Sequence, residues 1–554
     1  MSENTVYQRN LLALSLHNLL IVRRLSALPE KEVDPRLEFV QAKTGELVPA
    51  LNIGSGLLTL HSKFDPQREG QRFLEIYEPN GVLLFLGLGA AFHILPFLAK
   101  EDVSSIIILE ESASLLRGIL EKIDLHQLFI DPRVSLLLNI NKEELKEYLL
   151  ANYIPALLGD LKSIPLWPRF NANPSYFKEA LRAVEETINQ IADDYTVQAK
   201  FGKRWLANTL TNLAVAEEAT TVLRPQAKVM ITGAGPSLER ALKRIKQLKP
   251  NWFLIASDTS TPWLLQNDIL PDCVLSIDCQ QISYHHFLKG FPKHIPLVLD
   301  LASPPTLTRF SSKPIFFASS HPFSQFVNQY WRSFPQLDIS GGNVGHAALS
   351  LACELGARQI LLFGLDYAYP EGKTYARGTY LYDYFNRLVN RFACLETSLL
   401  EIIFKNKIVA REKEANLITY ITKPLFTYKT RLEEYIKAQG LVERKHEGGE
   451  RLILSKSSEA ALAGVGRIFS AGPPSCRVAD FLKFYKEGLW ALPTPFNPVL
   501  NYLQELERSQ RELWTTLFPT LAALRCEKGA GKSDGASLLE EVRCYALNRL
   551  VKLL

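Results

Sequence analysis

No two of the seven cysteines form a CxxC pair, and they are scattered at 273, 279, 353, 394, 476, 526 and 544. An odd, dispersed set supports neither a disulfide framework nor a zinc site, so reduced thiols in a cytoplasmic protein are expected. The N-terminus, MSENTVYQRN, lacks the apolar core of a signal peptide. Charge of one sign is also scarce. The formal net charge is +5 over 554 residues. That balance suits an anionic small ligand and gives no reason to expect nucleic acid. Long uncharged runs are nearly absent. Val82–Ala99 (VLLFLGLGAAFHILPFLA) carries no formal charge, but its glycine turn, histidine and proline divide it into a buried strand, a turn and a helix. No transmembrane segment is therefore expected. Two phosphate motifs fail as well. GAGKS near residue 530 has Cys526 where a P-loop needs its first glycine, and Glu527–Ala536 reads as a surface loop. Gly87-Leu88-Gly89 is followed by Phe92 where a dinucleotide fingerprint has its third glycine. Finally, there is no Asp-x-Asp, so no obligatory metal is expected.

What is present is alternation. Apolar residues make up 47% of the chain, ordinary for globular cores. Residues 1–75 read as helical or irregular. Residues 76–150 alternate strand and helix, with VLLFLG ending in the glycine turn and SIIILEE ending in Glu110 and Glu111. An acidic pair about twenty residues after such a turn outlines a Rossmann-like unit. This gives an N-terminal domain at 1–150 and a helical connector at 151–225. Residues 226–390 carry the clearest pattern. The strands are AKVMITGAG, NWFLIASD, DCVLSID, PLVLDLA and QILLFGLD, with amphipathic helices between them. Apolar strands of this kind imply a parallel sheet covered on both faces. Residues 391–554 read as mainly helical, with turns such as YKTRLEEYIKA suited to binding a protein acceptor. The fold class is therefore α/β, with Rossmann-like parallel-sheet domains and a largely helical C-terminal region.

The candidate chemistry lies at the strand ends, which share one edge in a parallel sheet. Gly233-Ala234-Gly235-Pro236-Ser237 lets the backbone turn sharply, and Ser237 is expected to cap a helix whose free N–H groups would attract a phosphate. Asp258 and Thr259 end the next strand, Asp278 and Gln280 the third, and Asp300 the fourth. Gly341, Gly342 and Asn343 precede a helix and suit close approach to a ligand, and that helix carries His346, which is either a base or a packed side chain. Beyond the strand ending in Asp366, Tyr369 and Tyr375 flank a Pro/Gly loop. Tyrosyl hydroxyls can donate to a departing phosphate without a metal.

At these residues the sequence resembles the bacterial motility accessory factor family. The resemblance rests on ITGAGPSL, SDTSTPWLLQNDILPDCVLSIDCQ and SGGNVGHAALSLACELGARQILLFGLDYAYPEGKTYARGT, with HSKFDPQREGQRF and VLLFLGLGAAFHI upstream. It covers roughly residues 50–435. Part of the pattern is also similar to small bacterial sialyltransferases, which place two tyrosines six apart, as Tyr369 and Tyr375 are here. Ala234 stands where those enzymes have Asn, and their downstream general-base His has no match. Tyr375 stands where the accessory factors commonly have His. The resemblance implies transfer of a nonulosonic acid, pseudaminic or legionaminic in type, from its CMP donor to Ser or Thr hydroxyls of flagellin, with inversion. CMP would lie at 233–238, with Asp258, Thr259, Asp278 and Gln280 around the nucleotide and sugar. Tyr369 and Tyr375 would hold the leaving phosphate, and Asp366 or His346 would serve as base. CMP-sugar and flagellin are the implied partners. Two alternatives stand beside this reading. One is a 6-hydroxymethylpterin diphosphokinase-like enzyme using ATP and Mg²⁺. The other is a non-catalytic flagellin-binding protein.

Overall fold

A computed structural model of the chain describes residues 3–29, 32–54, 56–392, 394–414, 417–445, 451–455, 466–528 and 534–554. The chain divides into two compact units. The first comprises Met1–Gly202, Ala491–Arg511 and Phe518–Tyr545; the second comprises Lys203–Trp490, Glu512–Leu517 and Ala546–Leu554. The boundary at 202/203 falls inside one 45-residue helix, Pro174–Glu218, rather than at residues 150 or 225.

In the first unit, β1 (Leu37–Gln41), β2 (Leu47–Asn52) and β3 (Leu57–Thr59) form a small antiparallel sheet. The expectation of helix or irregular chain over residues 1–75 holds only for the helices Glu3–His17, Leu19–Ser26 and Pro66–Ile76. The main sheet of this unit joins β4 (Gly81–Leu86), β5 (Val103–Glu110), β6 (Val134–Leu138) and β7 (Leu161–Pro165) in the order β6-β5-β4-β7, all parallel. Every residue of β4 is buried, as a sheet covered on both faces requires. The uncharged Val82–Ala99 run is thus a strand, a glycine turn and the short helix Leu95–Leu98. Among the described residues no helix is long and apolar enough to cross a membrane. β7 lies within residues 151–225, where the sequence pattern predicts a helical connector.

In the second unit, β8 (Lys228–Thr232), β9 (Phe253–Ser257), β10 (Cys273–Ser276), β11 (Leu297–Asp300), β12 (Pro314–Phe317) and β13 (Gln359–Phe363) are parallel. β14 (Tyr369–Pro370) leaves this sheet to pair with β16 (Leu417–Thr422), which also pairs with β15 (Ile408–Glu414). β17 (Leu441–Lys445) and β18 (Arg451–Ser455) return as an antiparallel edge. The order is β12-β11-β10-β9-β8-β13-β18-β17. The chain steps outward from β8 to β12, then returns to lay β13 on the other side of β8. The strand order therefore reverses between β8 and β13, and a crevice opens where the connections part at such a point.

Residues 391–554 are largely helical, as expected, and among the described residues four strands also lie between 408 and 455, two of which complete the central sheet. They escape a helix-or-strand reading because edge strands such as LVERK are studded with charge, which guards an exposed edge. The helical parts, among them Lys423–Ala438 with Leu432 and Ile436 buried, agree with the sequence pattern. The anticipated loop at Glu527–Ala536 is helical at both ends, in Arg508–Lys528 and Gly535–Val551, and its centre, 529–533, lies outside the described residues.

Candidate functional site

The site forms where the ends of β8, β9, β10 and β13 face one another. β8 ends in the 233–237 turn and β13 in Gly364-Leu365-Asp366. The two tips are tied by Gly233 N–H donating to Phe363 O (2.8 Å) and Gly235 N–H donating to Gly364 O (2.8 Å). The glycines serve this close approach. A Cβ on Gly364, whose φ is +64°, would sit 2.4 Å from Gly233 O, and one on Gly235 would sit 2.5 Å from the Asp366 carboxylate.

Ser237 does not cap a helix. Its backbone N–H donates to Asp366 Oδ2 (2.9 Å) and its hydroxyl to Asp366 Oδ1. Pro236–Ala241 is a 3-10 turn, and α-helix begins only at Leu242. The acceptor that the turn's amides needed is a carboxylate from 129 residues downstream. Asp366 is occupied by this tie, with both oxygens engaged.

Asp258 and Asp278 end β9 and β10 side by side. Asp258 is buried and pinned. Its Oδ1 accepts from the Thr259 N–H (2.7 Å) and hydroxyl (3.0 Å), and its Oδ2 from the Ser276 hydroxyl (2.6 Å). Asp278 accepts from Gln280 N–H (2.8 Å) and from the Gln280 side chain (3.3 Å). Burial raises the Asp278 pKa and the nearby Asp258 charge adds to the rise, against the Gln280 hydrogen bonds. Neither carboxylate makes an ion pair with a described residue.

Opposite them stands a cluster of tyrosines. Tyr369 lies on β14 and Tyr375 follows the Pro/Gly loop. Burial pushes the Tyr375 hydroxyl well above its ordinary pKa, and Tyr369, Tyr380, Tyr428 and Asp258 push in the same direction. Tyr369 is raised by burial and by Tyr428. The chain thus brings Tyr369 and Tyr375 together and sets Tyr375 within electrostatic reach of Asp258. The Thr374 and Thr379 hydroxyls beside these tyrosines in sequence are buried without a hydrogen-bond partner among the described residues. The loop is also held in uncommon conformations, with Tyr367 at φ +49° and Glu371 at φ +54°.

Gly341, Gly342, Asn343 and His346 form a helix start. Asn343 caps Val344–Glu354, accepting from His346 N–H (3.1 Å) and from the Tyr367 hydroxyl (3.2 Å). The His346 ring is 98% buried, packed on Tyr435 at 4.6 Å, and lies 3.5 Å from Asp338. Burial lowers its pKa. None of these neighbours belongs to the Asp258–Tyr375 cluster, so its surroundings match the packed reading. Gly342, at φ +71°, touches the site through Tyr428, whose ring lies 3.1 Å from where a Cβ would stand.

Sequence reasoning missed His286, Tyr380 and Tyr428. His286 lies in the turn Gln281–Phe287 after β10, packs edge-on to Tyr380 at 4.6 Å, and is buried with Nδ1 unpartnered. The repeat of Thr-Tyr at 374–375 and 379–380 could have signalled Tyr380.

The first unit's glycine turn is closed. Glu110 Oε2 accepts from Leu88 N–H (3.2 Å), and His61 Nε2 accepts from Ala90 N–H (3.0 Å). Arg169, 1% exposed, grips Glu110 and Glu111. The acidic pair that might have read a ribose is spent on this arginine.

A family model described as "6-hydroxymethylpterin diphosphokinase MptE-like" matches residues 203–372, which contain Gly233–Ser237, Asp258, Asp278 and both Asp366 and Tyr369. Two uncharacterised proteins of Treponema pallidum (strain Nichols) are similar to the chain, at 32% identity over 153 residues and 30% over 166. These matches take in 27% and 29% of this chain, and 54% and 79% of the two relatives. The chain thus spans about half the length of the first, and it belongs to one family with the second. A 6-hydroxymethyl-7,8-dihydropterin pyrophosphokinase of Methanothermobacter thermautotrophicus is 25% identical over 159 residues, 26% of this chain and 59% of that one. Among solved structures, the Maf glycosyltransferase from Magnetospirillum magneticum AMB-1 aligns over 99% of this chain and 95% of its own, with a TM-score of 0.51 and 14% identity. The chain has the Maf fold. Within that fold the MptE-like segment supplies β8 to β13, and therefore the switch point, with Asp258, Asp278, His286 and Tyr369, while Tyr375, Tyr380 and Tyr428 lie beyond it.

Proposed function

We propose that the chain is a glycosyltransferase of the Maf type, moving a nonulosonic acid, pseudaminic or legionaminic in kind, from CMP to Ser or Thr hydroxyls of flagellin. The observation that carries this reading is the pairing, at one switch point, of two uncompensated carboxylates with a tyrosine cluster, in a chain that follows the Maf fold from end to end. The carboxylates Asp258 and Asp278 suit the hydroxyl and amino groups of a nucleotide and sugar. Tyr369 and Tyr375 suit the phosphate, whose negative charge grows as the sugar–phosphate bond breaks. The acceptor hydroxyl attacks the anomeric carbon from the opposite face, so the configuration inverts. The electron pair of the broken bond leaves on CMP.

A second reading has a specific observation behind it, the MptE-like match over residues 203–372. It takes ATP and Mg²⁺ in place of a CMP-sugar, with a pterin hydroxyl as acceptor. The experiment that decides is mass spectrometry of flagellin after incubation with each CMP-nonulosonate, beside thermal shifts with CMP and with ATP and Mg²⁺. Added sugar mass together with a CMP shift supports the glycosyltransferase. A shift with ATP and Mg²⁺ alone, and unmodified flagellin, supports the diphosphokinase.

A further inference from the structure

We propose that His286 is the proton acceptor for the attacking hydroxyl, an inference that rests on the glycosyltransfer reading. The site offers few groups that could take this proton. Asp258 is pinned by Thr259 and Ser276, and Asp278 by Gln280. Asp366 is tied through both oxygens to Ser237. Burial raises the pKa values of Tyr369, Tyr375 and Tyr380, so these hydroxyls hold their protons. His286 is 8% exposed, and its Nδ1 is buried with no hydrogen-bond partner among the described residues. An imidazole left without a protein partner at a polar cluster is poised for a ligand.

The groups facing His286 are Asp258 from the end of β9, Asp278 from the end of β10, His285 on its own turn, and Tyr380 from the helix Tyr380–Asn386. Burial lowers its pKa below the ordinary histidine value, while the two carboxylates pull the other way. The ring is therefore neutral at neutral pH and can accept a proton. Once it has done so, the imidazolium sits within reach of two carboxylates that stabilise it. In the step, the acceptor oxygen bonds to the anomeric carbon, its proton passes to the imidazole, and the sugar–phosphate bond breaks with its electron pair on CMP. Solvent then takes the proton.

The sign of the pH dependence follows. Turnover should be low where His286 is protonated and rise to a plateau as pH passes its pKa, with a midpoint below about 6.5, the ordinary histidine value. The test is turnover against pH for the wild-type chain and for His286→Gln, with CMP affinity measured by calorimetry. We expect the variant to lose about 10²–10⁴-fold in turnover at neutral pH, to lose the acidic limb, and to keep CMP affinity. A variant that transfers sugar within about threefold of wild type, with the limb intact, overturns the inference. Should His286→Gln fail to fold, the wild-type profile still decides: a turnover flat from about pH 5 to 8 overturns it, given the histidine range in proteins. A wild-type chain that transfers no nonulosonate from any CMP donor refutes the glycosyltransfer reading instead.

Discussion

The two units each contain a parallel sheet whose first glycine turn meets a carboxylate, and they use that carboxylate in opposite ways. In the first unit Glu110 accepts from the turn and is then neutralised by Arg169, which also holds Glu111 and lies over the ring of Phe177. The edge is sealed. In the second unit Asp366 accepts from the turn through Ser237, but no described cation pairs with it or with Asp258 and Asp278. Among the described residues no cation compensates the charge there, and the Thr374, Thr379 and His286 side chains keep polar atoms without a partner. A sheet edge that satisfies itself is a scaffold; one that leaves polar groups waiting is a site.

The largest effect should come from breaking the seal. Arg169→Met leaves Glu110 buried without its partner, which costs about 3–5 kcal/mol. Chemical denaturation should show that loss, while CMP affinity of the folded fraction stays at the wild-type value. CMP affinity that falls with the seal would mean that the first unit takes part in binding.

Tyr375→Phe and Tyr369→Phe address the other side of the comparison. Each keeps its ring and loses a donor to the leaving phosphate, so turnover should drop about 10²–10³-fold, roughly 3–4 kcal/mol. CMP affinity should change little, because the charge develops only in the transition state. The double variant should lose less than the product of the two, since both donors act on one phosphate. Normal turnover in both single variants would reduce the tyrosines to packing.

A smaller effect is expected from Gly235→Val. Its Cβ would lie 2.5 Å from the Asp366 carboxylate and 2.8 Å from Gly364 O, so the tips of β8 and β13 must separate. Overpacking of this kind costs about 1–3 kcal/mol. Thermal melting should register it together with weakened CMP binding, and an unchanged melting temperature with full binding would show that the tips do not need to touch. The smallest effect is expected from EDTA. With tyrosines carrying the phosphate charge, transfer should continue in its presence; loss of activity restored by Mg²⁺ or Mn²⁺ would favour the diphosphokinase reading.

Much of the sheet was legible because its strands are short apolar runs ending in glycine or aspartate. β8 to β11 and β13 each fall within the segments read from sequence, and β4 and β5 begin just before theirs. The hairpins were harder. β1 (LEFVQ) mixes apolar and polar residues, β2 (LVPALN) is interrupted by a proline, and the edge strand β17 (LVERK) is charged, so none reads as an apolar run ending in glycine or aspartate. A truncation at residue 391 is consequently a poor test of acceptor binding, since it removes β18 from β13 and β16 from Tyr369. At the candidate site, Asp258 and Asp278 stand out because they follow strand ends, and Tyr369 and Tyr375 because they flank the Pro/Gly loop. Ser237 was misread as a cap because its true acceptor, Asp366, is remote in sequence. His286 and Tyr428 stayed hidden for the same reason, as only folding brings them to the tyrosines.

Tyr369 is paired in register with Tyr420, and Pro370 with Thr419. The position of a residue proposed to meet the leaving group is therefore set by a ladder of hydrogen bonds to a hairpin outside the central sheet. A ladder moves in steps. Sliding it by one residue turns every side chain to the opposite face, and only a shift of two restores the facing, displaced by about 6.6–6.8 Å. For lineages descending from this chain, drift in the 408–422 hairpin is thus not gradual. Insertions that come in pairs would keep the facing and shift the space beside Tyr369, while a single insertion would keep it only where a bulge absorbs the extra residue, as the register irregularity between Ile408 and Ala410 shows this hairpin can.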